Sequence, residues 1–371
     1  MKHINELERR LNDYFDWNKA RMSCFAKMLL ALFVSGTVNL QKIAVAFDSE
    51  AHIASRYKRL QRFFSLFKID MNILARFIFS IFFSKEDKLY LTIDRTNWYW
   101  GKKKINILTL GICYEGIAIP IFWKLLDKGG NATSKEHIEV IERFIKVFGK
   151  EQVVGILADR EFGSKELFTW LNKRKMPFYI RIKMNTQVKF FYEKTFNVSK
   201  VFKRLKRGET FIQKQPMYVF GQKLFVAAGK NEKDELLIVA TNQSPENAVS
   251  IYLRRWEIEN LFQALKSRGF NFEDTHITKK DRIAKLMSVL AVGFCWAHKV
   301  GEWKNAKKPI ILKKFFNGQR RPQYSYFRYG LDFLRDVILH IQRRKKQFET
   351  CLKQLFPPRN PSKNQPLGDL L

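Results

Sequence analysis

The hydrophobic periodicity of the chain changes near residue 86, and this change constrains the fold more than any other feature. Three β-rich runs follow it, separated by turn residues: 89–93, 105–112 and 117–123. Short runs of β-branched and apolar residues bounded by turn residues are typical of β-strands. Because the connections between them are short, we predict an antiparallel meander.

Helices and strands alternate after this meander. A helix is predicted for residues 134–148, with Ser134 as its N-cap, and another helix begins at Ser164. Between them, the continuous apolar run 153–158 is typical of a strand buried on both faces, and 178–182 follows as a further strand. Three antiparallel strands and then alternating helix and strand are the order of a ribonuclease-H-like core. The predicted fold class is therefore α/β.

The rest of the chain divides into segments of different composition. Residues 1–84 are predicted to form a helical, basic region, and residues 85–185 and 236–298 the ribonuclease-H-like core. The segment 186–235 has 11 Lys/Arg against 5 Asp/Glu and aromatic clusters, which indicates a β-rich basic insertion. Residues 299–371, with 17 Lys/Arg against 5 Asp/Glu, are predicted to form a basic helical C-terminal region and tail.

The N-terminal region contains a pattern typical of a helix–turn–helix. A short predicted helix at 38–44 is followed by a second at 51–64, which carries cations beside apolar positions. Arg56, Lys58 and Arg59 of the second helix are candidate DNA contacts. An ordinary helical bundle with a solvated basic face would show the same pattern, so both interpretations stay open.

The net charge indicates the kind of partner. The chain has 68 Lys+Arg against 35 Asp+Glu, which gives a formal charge of +33 at pH 7. Hydrophobic residues make up 46% of the chain, and this content excludes a disordered basic tail protein. A folded chain with this surplus of cations needs a polyanionic partner. Nucleic acid is the first candidate and a membrane surface the second.

The cysteines and the apolar runs indicate a cytoplasmic protein that does not span a membrane. The four cysteines are far apart and form no CxxC motif, so reduced thiols are expected at Cys24, Cys113, Cys295 and Cys351. Residues 1–10 are polar and charged, unlike a secretion signal. The apolar runs 28–41 and 286–298 are shorter than the roughly 20 residues of a membrane span, so we expect buried helices there.

Three acidic residues are candidates for chemistry. Asp94 and Asp159 each close an apolar strand, and Glu259 lies in a long helix predicted between Ser244 and Gly269. A carboxylate that closes an apolar strand is costly unless it is solvated or bound to a cation. Two on neighbouring strands repel each other, and Mg²⁺ or Mn²⁺ would relieve this repulsion. Taken singly, each aspartate has the simpler role of beginning a turn.

One face of the predicted long helix combines four chemically different side chains. Tyr252, Arg255, Glu259 and Lys266 lie at offsets of 0, 3, 7 and 14 residues. On a continuous helix these offsets span one arc about 60° wide, with Trp256 just beside it. Mixed charges on a helix face are usually solvated ion pairs. The aromatic residues in the stripe and the two strand-end aspartates favour a functional face instead.

These residues carry a family resemblance. The pattern Tyr-x2-Arg-x3-Glu-x6-Lys, at Tyr252, Arg255, Glu259 and Lys266, resembles the signature of the insertion-sequence-four type group of bacterial insertion-sequence transposases. These enzymes carry an Asp-Asp-Glu (DDE) active site on a ribonuclease-H-like fold. Asp94 in Ile-Asp-Arg-Thr-Asn-Trp looks like the first catalytic aspartate of the family, Asp159 in Ala-Asp-Arg-Glu-Phe like the second, and Glu259 like its glutamate. The resemblance covers residues 86 to 300.

The resemblance implies a DNA transposase. Such an enzyme binds the ends of its insertion sequence, cleaves them by metal-dependent phosphodiester hydrolysis and joins the 3′ ends to target DNA by transesterification. Asp94, Asp159 and Glu259 would hold two Mg²⁺ ions per active site, with Mn²⁺ able to substitute. Two alternatives stay open: a catalytically inactive DNA-binding regulator, and a metal-dependent nuclease without strand transfer.

The resemblance also implies roles for the neighbouring side chains. Cations would hold phosphates beside the scissile bond: Arg255, Lys266 and Arg160. Tyr252 would donate a hydrogen bond to one of these phosphates. Arg160 has an alternative role in an ion pair with Glu161 or Glu259. Relatives that form a DNA hairpin grip a flipped base with a tryptophan of the insertion, but residues 186–235 contain no Trp, so Trp256 is the candidate for stacking on an unpaired base.

Joining two ends requires two active sites, so a homodimer is expected in the complex with double-stranded DNA. The partners would be the terminal repeats and the target, in the bacterial cytoplasm at the nucleoid. Within 303–355, apolar residues alternate with cations, and this pattern suits helices that pack on a partner protomer or, alternatively, cover their own core. The apolar positions are Ile310, Ile311, Leu312, Phe315, Phe316, Leu331, Phe333, Leu334, Val337, Ile338 and Ile341.

Overall fold

The computed structural model describes residues 2–191, 194–314 and 318–356. The described chain forms two compact units. The first, which we call the helical unit, draws on residues 1–83, 98–103 and 262–371. The second, which we call the sheet unit, comprises residues 84–97 and 104–261.

The N-terminal part of the helical unit consists of α1 (Lys2–Phe15), α2 (Lys19–Ser35), α3 (Leu40–Ala46), α4 (Ile53–Leu66) and α5 (Met71–Phe82). Capping side chains set several helix starts: Asn18 accepts a hydrogen bond from the backbone N–H of Arg21, and Asn39 from that of Gln41. Gly36 ends α2 in the left-handed region, at φ +65°. The two helices predicted at 38–44 and 51–64 are present as α3 and α4.

The sheet unit is built on a mixed ten-stranded sheet of order β3-β2-β1-β4-β5-β10-β9-β8-β6-β7. β4 pairs parallel with β1 and with β5, whereas β2–β3, β5–β10 and β10–β9 pair antiparallel. The strands are β1 (Leu89–Trp100), β2 (Lys103–Tyr114), β3 (Ile117–Leu125), β4 (Val153–Ala158), β5 (Phe178–Arg181), β6 (Gln187–Lys189), β7 (Phe196–Asn197), β8 (Thr210–Val219), β9 (Gln222–Lys230) and β10 (Leu236–Thr241). The mixed α/β class and the β-rich character of 186–235 are as predicted, and the insertion strands extend the same sheet.

Two helices follow the first three strands, α6 (Ser134–Phe148) and α7 (Lys165–Lys173). The N-cap of α6 is Thr133 rather than the predicted Ser134, because Thr133 and Glu136 form a reciprocal capping box. Ser164 caps α7 as predicted, accepting a hydrogen bond from the backbone N–H of Leu167. The interior of the unit is apolar, and β4 is almost wholly buried, as its continuous apolar run predicts.

The prediction of one continuous helix between Ser244 and Gly269 is wrong. The chain forms two short helices instead, α8 (Ala248–Leu253) and α9 (Trp256–Leu265). Between them the backbone tightens into i→i+3 hydrogen bonds, including Arg255 N–H to the Tyr252 carbonyl at 2.9 Å. The 60° arc expected for a continuous helix therefore does not apply. The relative positions of Tyr252, Arg255 and Glu259 depend instead on this turn.

The C-terminal part of the helical unit consists of α10 (Lys280–Lys307), β11 (Leu312–Lys314), β12 (Arg320–Pro322), α11 (Tyr326–Leu339) and α12 (Lys345–Leu355). α10 and α11 approach so closely that a Cβ on Gly330 would lie 1.8 Å from the Ala297 carbonyl oxygen, and one on Gly301 would lie 1.8 Å from that of Tyr326. Glycine at both positions makes this contact sterically possible.

Among the described residues, α10 is long and apolar enough to cross a membrane, and α2 and α3 meet the same criterion as a pair bent by 100°. The most apolar stretch of α10 is 83% buried, which is the burial of a core helix. The runs 28–41 and 286–298 are helical over most of their length, as predicted. All four cysteines are buried free thiols, also as predicted.

The prediction of partner-packing helices over 303–355 is wrong in part. Leu312 lies on an exposed strand, because β11 and β12, and not a helix, stand between α10 and α11. Leu331, Leu334 and Val337 are buried within the helical unit and cover its own core. Phe315 and Phe316 lie outside the described residues.

Candidate active site

The parallel pairing of β1 and β4 brings two predicted acids to one edge of the sheet. Ile93 and Ala158 are register partners, and Asp94 and Asp159 directly follow them. The parallel pairing of the two strands ends at these residues, and the two carboxylates are close enough for their charges to interact. Asp159 directly follows β4, as predicted. The prediction that Asp94 closes its strand is wrong, because β1 continues to Trp100 and Asp94 lies within it, at the point where the pairing with β4 ends.

The turn between α8 and α9 places a tyrosine and an arginine against these carboxylates. The phenol of Tyr252 donates a hydrogen bond to Asp159 Oδ1 at 3.2 Å. The guanidinium of Arg255 donates to Asp94 Oδ2 at 3.0 Å, to Glu259 Oε1 at 2.6 Å and to the Tyr252 oxygen at 3.1 Å. Tyr252 and Arg255 thus join all three acids in one hydrogen-bonded network.

Arg255 is the internal counter-ion of this network. Its side chain is only 6% exposed, and it forms ion pairs with both Asp94 and Glu259. A buried charge is tolerated only when it is paired and hydrogen-bonded, and each nitrogen of this guanidinium has such a partner. The resemblance implied a phosphate contact for Arg255, whereas the structure places it between two carboxylates.

The negative charge of Asp94 is only partly balanced by the positive groups around it. Burial raises the pKa of Asp94 to about 6, although Arg255 and the Arg95 backbone N–H act in the opposite direction. The nearby charges of Glu161 and Asp159 raise this pKa further. Burial also raises the pKa of the Tyr252 phenol, which therefore stays protonated as a donor. This part of the site favours an additional positive charge.

The donor set fits a divalent cation by its chemistry. Carboxylate oxygens are the ligands that Mg²⁺ and Mn²⁺ prefer. Within 2–191, 194–314 and 318–356, no three acidic, histidine or cysteine side chains converge closely enough to enclose an ion. Arg255, which pairs with Asp94 and with Glu259, already supplies positive charge between these two acids. A cation bound by the acids would share them with Arg255 or displace it.

A second ion pair ties together the segments that carry the two aspartates. Arg95, next to Asp94, forms a bidentate pair with Glu161 at 3.1 and 3.0 Å, and Glu161 lies two residues after Asp159. The same guanidinium donates to the side-chain oxygens of Asn106 and Asn131. This network fixes the spacing of the two segments that carry Asp94 and Asp159. It is absent from the sequence prediction, although both aspartates are followed directly by arginine.

The remaining residues of the sheet unit that were predicted as site residues lie on its surface. Trp256 begins α9 and is 55% exposed, with the Arg255 guanidinium carbon 5.8 Å from its ring centroid. Arg160 is exposed and lines a cavity of about 480 Å³ together with Lys183 and Lys189. The alternative ion pair of Arg160 is not formed, because Glu161 pairs with Arg95 and Glu259 with Arg255. A further cation near the acids, Arg181, lies 3.6 Å from Asp159 Oδ1.

Lys266 belongs to the helical unit and follows the last residue of α9. Its ammonium lies 2.8 Å from Glu273 Oε1 and 5.2 Å from the centroid of the Trp98 ring. Its backbone N–H still donates to the Phe262 carbonyl at 3.0 Å, one residue past the end of α9. Its charge is paired inside the helical unit.

The three predicted cations of α4 have different surroundings. Arg56 donates hydrogen bonds to the carbonyls of Ala51 and Phe47, and Arg59 donates to the carbonyl of Ala20. Lys58 is exposed on the helix surface. Two of the three therefore hold the helices together through backbone carbonyls, and Lys58 is the one whose side chain faces solvent.

Comparison with known proteins identifies the class. A family model described as a transposase DDE domain matches residues 85–294, more than half of the chain. The chain therefore belongs to the DDE transposase family and is a protein of DNA transposition and recombination. No curated protein matches the sequence. Among solved structures, the chain matches the piggyBac transposase synaptic complex with hairpin DNA at 13% identity, with 97% coverage of this chain, 84% of that chain and a TM-score of 0.42.

Proposed function

We propose that the protein is a DNA transposase that cleaves the ends of its insertion sequence and joins the 3′ ends to target DNA. The observation that carries this proposal is the network in which Arg255 and Tyr252 join Asp94, Asp159 and Glu259. These acids lie on three separate elements, and the family match covers all three. A network of this kind at one sheet edge suits phosphodiester chemistry better than a purely DNA-binding role.

The proposed core is ribonuclease-H-like. The strand order β3-β2-β1-β4-β5, with β2 and β3 antiparallel and β4 and β5 following parallel to β1, supports this assignment. We assign residues 85–185 and 236–298 to the core and 186–235 to the insertion. The group of relatives with the Tyr-x2-Arg-x3-Glu-x6-Lys signature is part of the same proposal.

Asp94, Asp159 and Glu259 would hold two Mg²⁺ ions, with Mn²⁺ able to substitute. When bound, such ions activate water or a 3′-hydroxyl for in-line attack and stabilise the leaving 3′-oxygen. Arg255 keeps Asp94 and Glu259 neutralised while no other cation is present, and the Arg95–Glu161 pair holds the two aspartate segments at fixed spacing. Tyr252 orients the carboxylate of Asp159.

Arg255 would have a further role if another cation neutralised the acids. Its guanidinium, whose planar fork suits a phosphate, would then be the group that contacts a phosphate next to the scissile bond. Arg160 and Trp256, both exposed, would contact a phosphate and an unpaired base, respectively. Lys266 would reach DNA only after leaving Glu273.

Recognition of the element ends is assigned to residues 1–84, in which α3 and α4 form the helix–turn–helix. Lys58 is its exposed cation, and Arg56 and Arg59 fix the helices that present it. The insertion and the C-terminal region add sequence-independent contacts to phosphates. The active complex is proposed to be a homodimer on DNA, in the cytoplasm at the nucleoid.

The test uses purified protein, Mg²⁺, labelled DNA carrying the two ends of its own element, and a target plasmid. We expect nicks at the element ends and joined products in the plasmid. Glu259→Gln should abolish both while leaving end binding intact, because affinity comes from Lys and Arg contacts to phosphates. Glu142→Gln, on the exposed side of α6, is the matched control and should cut normally.

Three results would contradict the proposal in different ways. Binding of the ends without any cleavage supports the inactive regulator. Cleavage without joined products supports a nuclease. Full activity of Glu259→Gln would remove this acid from the site.

A further inference from the structure

The turn between β1 and β2 presents an aromatic side chain together with two cations. The two strands are neighbours in the sheet, and only Gly101 and Lys102 lie between them along the chain. Tyr99 is 65% exposed, and Lys102 and Lys103, which follow it, are exposed as well. We call residues 98–103 the hairpin tip. All of it belongs to the helical unit.

The alternation of β1 separates its last aromatic residues onto two faces. Successive side chains of a strand lie on opposite faces. Trp98 is buried and Trp100 is partly buried, whereas Tyr99 between them is exposed. A single exposed aromatic residue is common on protein surfaces. Tyr99 differs from such a residue in the support of its backbone and in the charge next to it.

The two tryptophans fix the hairpin tip within the helical unit. The centroids of the Trp98 and Phe272 rings are 4.8 Å apart. The Trp100 ring stacks on the His276 ring with centroids 4.3 Å apart. These contacts hold the backbone on both sides of Tyr99. The position of Tyr99 is therefore set before any ligand binds, which lowers the entropic cost of binding.

The segment that supports the hairpin tip has its acidic residues engaged elsewhere. Glu273 Oε1 lies 2.8 Å from the Lys266 ammonium. Asp274 Oδ2 accepts hydrogen bonds from Thr37 at 2.8 Å and from Lys42 at 3.2 Å. Because these carboxylates are neutralised by other groups, they offset little of the positive charge of the two hairpin-tip lysines.

An exposed aromatic ring next to cations is the combination that binds single-stranded nucleic acid, in which the ring stacks on a base and the cations contact phosphates. In a duplex, each base is stacked between its neighbours. A ring on a fixed turn therefore reaches the face of a base only where the strand is unpaired. A protein partner fits less well, because lysine is depleted at protein–protein interfaces.

We infer that the hairpin tip binds an unpaired stretch of DNA. Tyr99 stacks on a base, and Lys102 and Lys103 contact the neighbouring phosphates. This inference rests on the proposed function, because it takes DNA as the partner. It adds a second stacking side chain to Trp256, which belongs to the sheet unit.

The test compares ring variants and charge variants. Tyr99→Leu removes the ring and keeps an apolar side chain, and Tyr99→Trp restores a ring that can stack. The charge variant replaces Lys102 and Lys103 with Gln, and its matched control replaces two exposed lysines of the sheet unit, Lys146 and Lys150, with Gln. Fluorescence anisotropy measures binding of a mixed-sequence single strand and of its duplex over a range of NaCl concentrations, together with thermal unfolding of each variant.

We expect all variants to unfold near the wild-type temperature, because the substituted side chains are exposed. Tyr99→Leu should weaken binding of the single strand about 10-fold, the loss of one stacked base, and weaken duplex binding by less than about twofold. Tyr99→Trp should bind the strand at least as tightly as the wild type. The charge variant should lower the slope of log affinity against log salt by about 0.7 for each lost contact, and the control by clearly less.

Equal losses for the strand and the duplex with Tyr99→Leu, or a similar loss with Tyr99→Trp, would overturn stacking on an unpaired base. Wild-type strand affinity of Tyr99→Leu together with equal slopes for the two charge variants would overturn the whole inference. Loss of DNA-dependent dimers by Tyr99→Leu with unchanged strand affinity would make the hairpin tip a contact between protomers instead.

Cleavage of end DNA in Mg²⁺ by the wild type is measured in parallel, so the two claims can fail separately. If the wild type cuts but Tyr99→Leu binds the strand normally, the hairpin-tip inference fails and the proposed function stands. If the wild type does not cut but Tyr99→Leu selectively loses strand binding, the proposed function fails and the inference stands.

Discussion

The active site and the two-stranded sheet of β11 and β12, which we call the ribbon, use the same residue types in opposite ways. In the site, Arg95 and Arg255 are largely buried, at 12% and 6% exposure, and each is bonded to a carboxylate. On the ribbon, Lys313 and Arg320 are exposed and face another cation across the sheet. The comparison shows that some of the basic residues neutralise acidic side chains of the protein itself. The surplus of +33 is expressed at surfaces such as the ribbon.

The two regions should therefore respond differently to substitution. Removing one partner of a buried ion pair leaves an uncompensated charge and costs roughly 3–5 kcal/mol. Removing an exposed cation changes the free energy of unfolding by less than about 0.5 kcal/mol. Its main effect is to weaken the binding of a polyanion.

The largest expected effect is that of Arg255→Met. The variant should lose roughly 3–5 kcal/mol of unfolding free energy, because Asp94 and Glu259 are left without their shared counter-ion. Addition of Asp94→Asn should restore part of this loss, since it removes one of the unpaired charges. Urea unfolding of the four members of this double-mutant cycle gives the coupling between the two residues.

The matched control for Arg255 is Arg174→Met, which removes an exposed pair with Glu142. It should cost less than about 1 kcal/mol, as exposed ion pairs do. Equal losses for the two arginine variants, or strictly additive effects of Arg255→Met and Asp94→Asn, would show that Arg255 is not the counter-ion of the site.

The next largest expected effect is the pH dependence of stability caused by His137, a buried side chain without an ionic partner. His137 stacks on Phe162 with ring centroids 4.3 Å apart, and neither ring nitrogen has a hydrogen-bond partner among the described residues. Burial lowers the pKa of His137 to about 4, although the nearby charges of Glu161 and Glu136 oppose this shift. The folded protein therefore keeps this ring neutral where the unfolded chain takes up a proton.

The direction in which stability changes with pH follows from the lowered pKa of His137. The stability contributed by neutral His137 is fully present above pH 6.5 and is lost as the pH falls to about 4. The expected loss over this range is about 3 kcal/mol. His137→Phe should remove this component, so the difference in unfolding free energy between variant and wild type should grow as the pH falls. A pH-independent difference would contradict the assignment.

A smaller effect is expected for Glu161→Gln, which keeps the shape of the side chain and removes its charge. The loss should be about 1–3 kcal/mol, because Arg95 loses a bidentate, partly buried partner. Glu142→Gln breaks the exposed pair with Arg174 and should cost less than about 1 kcal/mol. Unfolding of both variants in urea gives the comparison, and equal losses would contradict a positioning role for the Arg95–Glu161 pair.

Periodicity and strand ends predict the main parts of the site. The apolar runs that end at Asp94 and Asp159 identify the two strands, and their parallel pairing puts both acids at one edge. Glu259 follows from its place in the motif. These features depend on local sequence and on general rules of sheet geometry, so a single chain is sufficient to find them.

The contacts of the cations could not be predicted in the same way. Whether Arg255 faces solvent or two carboxylates depends on the turn between α8 and α9, which the helix signals at Ser244 and Gly269 do not predict. The ion pair of Lys266 with Glu273 is likewise not visible from its place in the motif. The ribbon has strands of only three residues with cations at most positions, so it shows no apolar alternation.

The central claim is that Asp94, Asp159 and Glu259 hold the metal ions that cleave DNA, and metal rescue tests it most directly. Asp94→Cys replaces an oxygen ligand with a thiolate, which Mg²⁺ binds poorly and softer ions such as Cd²⁺ bind well. All four native cysteines are buried, so the new thiol is the accessible one. Asp87→Cys, at an exposed position before β1, is the control.

We predict that Asp94→Cys cuts end DNA in Mn²⁺ or low Cd²⁺ but not in Mg²⁺ alone, whereas Asp87→Cys cuts in Mg²⁺ like the wild type. Cleavage by Asp94→Cys in Mg²⁺ at the wild-type rate would contradict the claim. A folded Asp94→Cys variant that stays inactive in all three ions would contradict it as well.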